Sequence, residues 1–228
     1  MRVLEVCVGS PESLAAAYTG GAERVELCAE LEADGLTPSA ELIRKAVALE
    51  GLHVHVLIRS RAGDFVYSEE EISLMEKQIR MARECGADGV VFGALTSDSE
   101  IDMAACRRWK QAAEGMSVTF HRAFDRCANP QRALEQIILL GCDRLLTSGQ
   151  QSSAFDGIPL LQTLVEQAAG RIIIMPGAGV NPDNAAEIMS RTGASEIHAS
   201  ARTARQYGHQ ETDPLTVEAI LRAIRSMS

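Results

Sequence analysis

Gly20-Gly21-Ala22-Glu23-Arg24-Val25-Glu26-Leu27-Cys28 holds a helix stop followed at once by a strand start. The glycines fit a helix C-terminus, where a left-handed backbone is needed. The run after them alternates, with Arg24, Glu26 and Cys28 on one face and Val25 and Leu27 on the other. The same punctuation returns at Gly86-Ala87, Gly141-Cys142 and Gly193-Ala194. A connection from helix to strand, repeated at intervals along the chain, points to alternating β and α elements.

Working outward, short β-branched runs predict strands at Val3–Val8, Arg24–Cys28, His53–Ile58, Gly89–Phe92, Ser117–His121, Arg144–Thr147, Arg171–Met175 and Glu196–Ser200. Helical apolar spacing predicts helices near Pro11–Tyr18, Ser39–Leu49, Glu69–Glu84, Glu100–Ala113, Pro130–Leu139, Ile158–Ala168, Pro182–Ser190 and Pro214–Ser226. Ser39 and Ser68 are placed to cap helix N-termini. Asn129-Pro130, Asn181-Pro182 and Asp213-Pro214 each set a capping side chain before a proline suited to a first helical turn. Eight strand–helix units without a long linker predict a single-domain (β/α)₈ TIM barrel over residues 1–228. The rival is an open doubly wound sheet, but no GxGxxG follows the first strand. Barrels of this kind carry their chemistry on the loops after the strands.

Composition narrows the function classes. The 228 residues carry a formal net charge of −9, which opposes binding to nucleic acid or anionic membrane. Met1-Arg2-Val3-Leu4-Glu5 has no signal-peptide pattern, so a cytoplasmic location is expected. Six cysteines are then expected to be free thiols, and no CxxC pair supports a structural zinc site.

Several strands carry polar residues on the face that alternation sends inward. These are Glu5 and Cys7; Arg24, Glu26 and Cys28; His53, His55 and Arg59; Thr119 and His121; Glu196, His198 and Ser200. Isolated buried charge costs several kcal/mol, so these groups are either an internal salt-bridge network or a ligand site. In the second case Glu5, Glu26, His55 and His121 are acid–base candidates and Arg59 and Arg122 anion clamps, with Asp125 an orienting acid. Thr147, Ser148, Gly177, Gly179, His198, Ser200 and Arg202 lie on or before loops six to eight, the usual anion cradle of the fold, although the glycines also suit plain tight turns. His209 reads as ordinary surface. The motif Glu-x-Cys occurs twice, at Glu5-Val6-Cys7 and Glu26-Leu27-Cys28. With the two motifs level on adjacent strands about 4.8 Å apart, both thiols would reach one soft ion such as Cu(I). A buried cysteine is equally at home as a small hydrophobe.

The stretches Leu4–Val8, Gly20–Cys28, Leu36–Ser39, His53–Arg59, Thr119–Asp125, Leu146–Gly149 and Ile197–Ser200 together resemble the copper homeostasis protein CutC family. The resemblance implies a cytoplasmic TIM-barrel protein, usually oligomeric and here expected as a homodimer, with Cys7 and Cys28 as Cu(I) ligands. Two functions therefore stand side by side. One is a Cu(I)-binding protein of copper homeostasis. The other is an enzyme acting on a small anionic or phosphorylated metabolite at the same barrel mouth.

Overall fold

The computed structural model describes residues 2–204 and 210–226. Eight parallel strands alternate with helices: β1 Val3–Val8, α1 Pro11–Thr19, β2 Arg24–Leu27, α2 Ala40–Val47, β3 His53–Leu57, α3 Glu69–Glu84, β4 Gly89–Phe92, α4 Met103–Ala112, β5 Ser117–Phe120, α5 Pro130–Leu139, β6 Arg144–Thr147, α6 Ile158–Ala168, β7 Ile173–Pro176, α7 Ala185–Thr192, β8 Glu196–Ala199 and α8 Pro214–Arg225. The sheet order is β7-β6-β5-β4-β3-β2-β1-β8. Its two end strands, β7 and β8, lie side by side and bring the sheet round into a nearly closed TIM barrel. The open-sheet alternative is thereby excluded. Among the described residues no helix is long and apolar enough to cross a membrane.

Local chemistry explains most boundaries. Ser68 and Glu71 form a reciprocal capping box at the start of α3. Asn129 and Asp213 cap α5 and α8 as expected, each ahead of a proline. Asn181-Pro182 behaves differently: residues 182–184 form a turn, and α7 starts at Ala185 behind Asn184. The Asn184 carboxamide takes the Asn181 N–H and donates to the Gly179 carbonyl, which stabilises that turn in place of a helix start. Likewise α4 starts at Met103 behind the Asp102 cap, not at Glu100, because Ile101 is drawn into a bridge with Leu95.

The outward strand faces are apolar. Leu4, Val6, Val25, Val54, Val56, Val118 and Ile197 are buried between barrel and helices. Trp109 is fully buried there, edge-on to Phe92, with its indole N–H on the Ile72 carbonyl at 3.0 Å. The alternate set faces the barrel interior, except His53, which at the very start of β3 lies exposed at the strand's amino end and pairs with Asp88 at 3.3 Å.

A short antiparallel hairpin not expected from the sequence, β9 Arg202–Ala204 with β10 Gln210–Thr212, follows β8. It is tied to α1 through Glu211, whose carboxylate accepts from Ser10 and Ser13 at 3.2 and 3.1 Å. His209 lies outside the described residues.

Candidate functional site

The barrel interior begins with a charged floor. Arg24 donates through Nε to Glu5 at 2.7 Å and through Nη2 to Glu196. Arg144 donates to Glu196 at 2.7 Å and to Ser117 at 2.6 Å. Every carboxylate here has a guanidinium, so this layer realises the internal ion-pair network. Burial pushes the Glu5 carboxyl up, but Arg24 and hydrogen bonds from His198 and His55 outweigh it and hold it well below the usual range. Glycine makes room at this level: a Cβ on Gly89 would lie 2.6 Å from the His55 ring and 2.9 Å from the Ser117 carbonyl.

Register decides what stands above the floor. The paired Glu-x-Cys motifs do not lie level. Glu5 pairs with Arg24 and Cys7 pairs with Glu26, a stagger of two residues that follows from the shear of a closed barrel. The two sulfurs therefore meet diagonally, Cys7 Sγ 3.6 Å from Cys28 Sγ, and Glu26 takes the place beside Cys7. On the other side β8 brings His198 level with Glu5. The Glu5 carboxylate and His198 Nδ1 are 2.9 Å apart, which leaves His198 Nε2 facing Glu26 at 3.7 Å. Donor atoms of Cys7, Glu26 and His198 all lie within 4.8 Å of one another, the one such cluster among the described residues.

The electrostatics of this cluster are coupled. The Cys28 contact, burial and Glu26 raise the Cys7 thiol well above its ordinary value. Burial pushes Glu26 up against the opposing pull of His198. For His198 burial acts downward, but the Cys7 hydrogen bond, Glu5 and Glu26 overcome it and leave the imidazole well above 6.5. Both shifts favour the protonated forms, a thiol at Cys7 and an imidazolium at His198. His55 Nδ1 sits 3.4 Å from Glu5, below the cluster. Cys28 is fully buried and donates to the Val8 carbonyl at 3.3 Å.

These groups open into a cavity of about 370 Å³ at the carboxyl ends of the strands, where Cys7, Glu26, His198, Ser200 and Arg202 share the walls with Arg59, His121, Arg122 and Asp125. Four of the six cysteines, Cys85, Cys106, Cys127 and Cys142, are buried elsewhere, each with no second sulfur bonded to it.

The residues expected on loops six and seven have other work. Asp125 draws in the Thr147 hydroxyl at 2.5 Å and the Ser148 hydroxyl at 2.9 Å, and pairs with Arg122 at 2.8 Å. Thr147 and Ser148 thus serve an internal carboxylate, leaving no hydroxyl proton for an external anion. The Gly177 N–H donates to the Thr147 carbonyl at 3.0 Å. Gly177 is needed for close packing, since a Cβ would lie 2.5 Å from Leu146 and 3.3 Å from His198. Gly179, at φ +69, uses its carbonyl to hold Asn181 and Asn184. Neither glycine lines the cavity.

His121 caps the short 3-10 turn that follows β5. Its Nδ1 accepts the Ala123 N–H at 3.2 Å, which places the ring proton on Nε2. Burial first, then Arg59 and Arg122, push its pKa down to about 3, so it stays neutral. That excludes a cationic role at neutral pH.

Comparison with known proteins follows the same lines. Residues 2–203 match the CutC family model. A CutC family protein of Bacteroides thetaiotaomicron is 55% identical over 199 residues, covering 87% of this chain and 80% of that protein. A human copper homeostasis protein cutC homolog is 47% identical over 206 residues, 90% of this chain and 76% of that protein. The crystal structure of a Streptococcus agalactiae protein described as a copper homeostasis protein CutC superposes with a TM-score of 0.84 at 34% identity, covering 88% of this chain and 99% of that one.

Proposed function

The chain belongs to the CutC family of copper homeostasis, and on that premise we propose that its barrel mouth holds Cu(I) as cargo. Cys7 and Cys28 supply the thiolates and His198 Nε2 an imidazole nitrogen, with Glu26 alongside as the carboxylate that receives or shares a displaced proton. The observation that carries this reading is the cluster of Cys7, Glu26 and His198 on the cavity wall, with the buried Cys28 sulfur 3.6 Å behind that of Cys7. Two thiolates and an imidazole suit a soft monovalent ion better than a hard one.

The surroundings support the assignment. Glu5, itself fixed by Arg24, orients His198 through Nδ1 and leaves Nε2 toward the cavity, the outer arrangement common to metal-binding histidines. Loading displaces the Cys7 and Cys28 protons and that of His198, so binding releases protons and tightens as pH rises. Cys7 is the half-exposed member of the pair and Cys28 the buried one, which gives the ion an entry from the cavity side.

The test is titration of the reduced protein with Cu(I) against a chromophoric Cu(I) chelator. One equivalent binds the native chain, and Cys7→Ser with Cys28→Ser abolishes it. Unchanged stoichiometry in the double variant, or a preference for Zn²⁺ over Cu(I) in direct competition, overturns the reading.

A further inference from the structure

The sulfur cluster occupies only one side of the cavity. Cys7, Glu26 and His198 come from β1, β2 and β8, which are neighbours in the barrel. On the adjoining wall, starting at β2's neighbour β3, the loops after β3 and β5 bring together a second group: Arg59, Phe65, His121 and Arg126, all lining the same cavity.

Arg59 is only 4% exposed, yet no carboxylate lies within ion-pair distance of it among the described residues. Its Nη1 donates to the carbonyls of Ala33, Asp34 and Gly35, and its Nη2 to that of Gly63. Carbonyl dipoles solvate a guanidinium without neutralising it. Of its five N–H donors, Nε–H and one on Nη2 are left over, and Nε has no acceptor. The Tyr67 hydroxyl is near Arg59 but is no counter-charge, because burial pushes its pKa up to about 12.

His121 adds a second unmet donor. It is 5% exposed, its Nδ1 is taken by Ala123, and its protonated Nε2 has no partner. A buried donor left unpaired destabilises the empty fold, and a ligand oxygen that accepts from it removes that cost. Arg126 completes the group: its guanidinium stands 5.7 Å from the Phe65 ring centroid, and that of Arg59 5.1 Å from the same centroid. Arg126 is close enough to Asp64 to lower that carboxyl but makes no ion pair with it.

The acids that share the cavity do not neutralise this wall. Asp125 is already met by Arg122 and four N–H or O–H donors from Thr147, Ser148 and Gln150. Glu26 belongs to the sulfur side, and Asp34 is exposed at the rim. Two cations and a neutral imidazole N–H thus converge around one aromatic ring without an internal anion.

We propose that this wall binds the oxyanion end, carboxylate or phosphate, of a small molecule, with Arg59, Arg126 and the His121 Nε2–H as its donors. The rest of that molecule then extends across a cavity of metabolite size toward Cys7, Glu26 and His198. The inference goes beyond the copper reading and does not depend on it, since none of its donors is a proposed Cu(I) ligand.

The experiment follows the histidine ring ¹⁵N–¹H signals of the intact, copper-free chain during separate titrations with inorganic phosphate and with malonate, using chloride as the ionic-strength control. It is repeated in Cys7→Ser/Cys28→Ser, so that failure of the copper site leaves this result standing. The expected result is a saturable shift of the His121 Nε2–H signal in both backgrounds, with one anion or both. Saturation by phosphate alone assigns a phosphoryl ligand, and saturation by malonate alone assigns a carboxylate. Arg126→Gln, at an exposed position that does not endanger folding, weakens binding about tenfold, as expected for one lost charge-assisted hydrogen bond. No saturable shift with either anion up to tens of millimolar overturns the proposal. So does affinity unchanged in Arg126→Gln, or a shift that chloride reproduces.

Discussion

Lowering the pH from 7.5 to 5 should destabilise this protein through His121 specifically. In the fold the ring is neutral, with its pKa pushed down to about 3 by burial and by Arg59 and Arg122. In the unfolded chain it titrates near the ordinary 6.5. The unfolded state therefore binds a proton that the folded state refuses, and stability is lost as pH falls below 6.5. Linkage gives about 1.4 kcal/mol for each pH unit below that value, hence about 2 kcal/mol at pH 5 relative to pH 7.5. His198 acts in the opposite sense, adding stability as pH falls from 7.5 through 6.5, and it cancels because it is the same in the native chain and the control. Its folded pKa is raised, so its contribution is fully present below 6.5 and fades only as pH rises. The control is His121→Asn, which keeps a side-chain acceptor for the Ala123 N–H and cannot titrate. Urea denaturation of both proteins at the two pH values isolates the term as a difference of differences. The native chain should lose about 2 kcal/mol more than His121→Asn on acidification. Equal losses would show that His121 accepts a proton in the fold, and the neutral Nε2–H donor would have to be abandoned.

Other expected outcomes follow from the same contacts. Arg24→Met strips Glu5 and Glu196 of their shared buried cation and should destabilise by about 3–5 kcal/mol in urea denaturation; a loss under 1 kcal/mol would mean those acids are not ionised as described. Glu5→Gln removes the charge that orients His198 and should weaken Cu(I) affinity roughly 10–100-fold in chelator competition, with the fold checked by circular dichroism. Gly89→Ala forces a methyl to within 2.6 Å of the His55 ring and 2.9 Å of the Ser117 carbonyl, and should cost about 1–3 kcal/mol by thermal or urea unfolding.

The barrel was readable because its signals are local. Alternation along Val3–Val8, the short apolar run Gly89–Phe92, and the proline-led caps at Asn129 and Asp213 are fixed by neighbours in sequence. Where a boundary moved, a tertiary contact moved it. Strand β7 begins at Ile173 instead of Arg171, whose side chain turns to pair with Glu135 on α5 at 2.7 Å. The site was readable as a set of inward polar residues but not as an arrangement. Two Glu-x-Cys motifs invite a level pairing of thiols, whereas the barrel's stagger sets Glu26 beside Cys7 and the sulfurs on a diagonal. No local pattern announces that stagger. Nor does sequence show that Asp125 claims Thr147 and Ser148 from two loops away, or that the Ala123 N–H fixes the tautomer of His121. The hairpin at Arg202–Ala204 and Gln210–Thr212 is not legible in the sequence for a related reason. Its segments are short and polar, and their placement depends on Glu211 reaching α1.

Copper K-edge X-ray absorption on the reduced chain loaded with one equivalent of Cu(I) tests the account most directly. Inward-facing Cys7, Cys28 and His198 require a first shell of two sulfurs with one imidazole nitrogen, lost in Cys7→Ser/Cys28→Ser. A first shell without sulfur, or an unchanged spectrum in that variant, would contradict it.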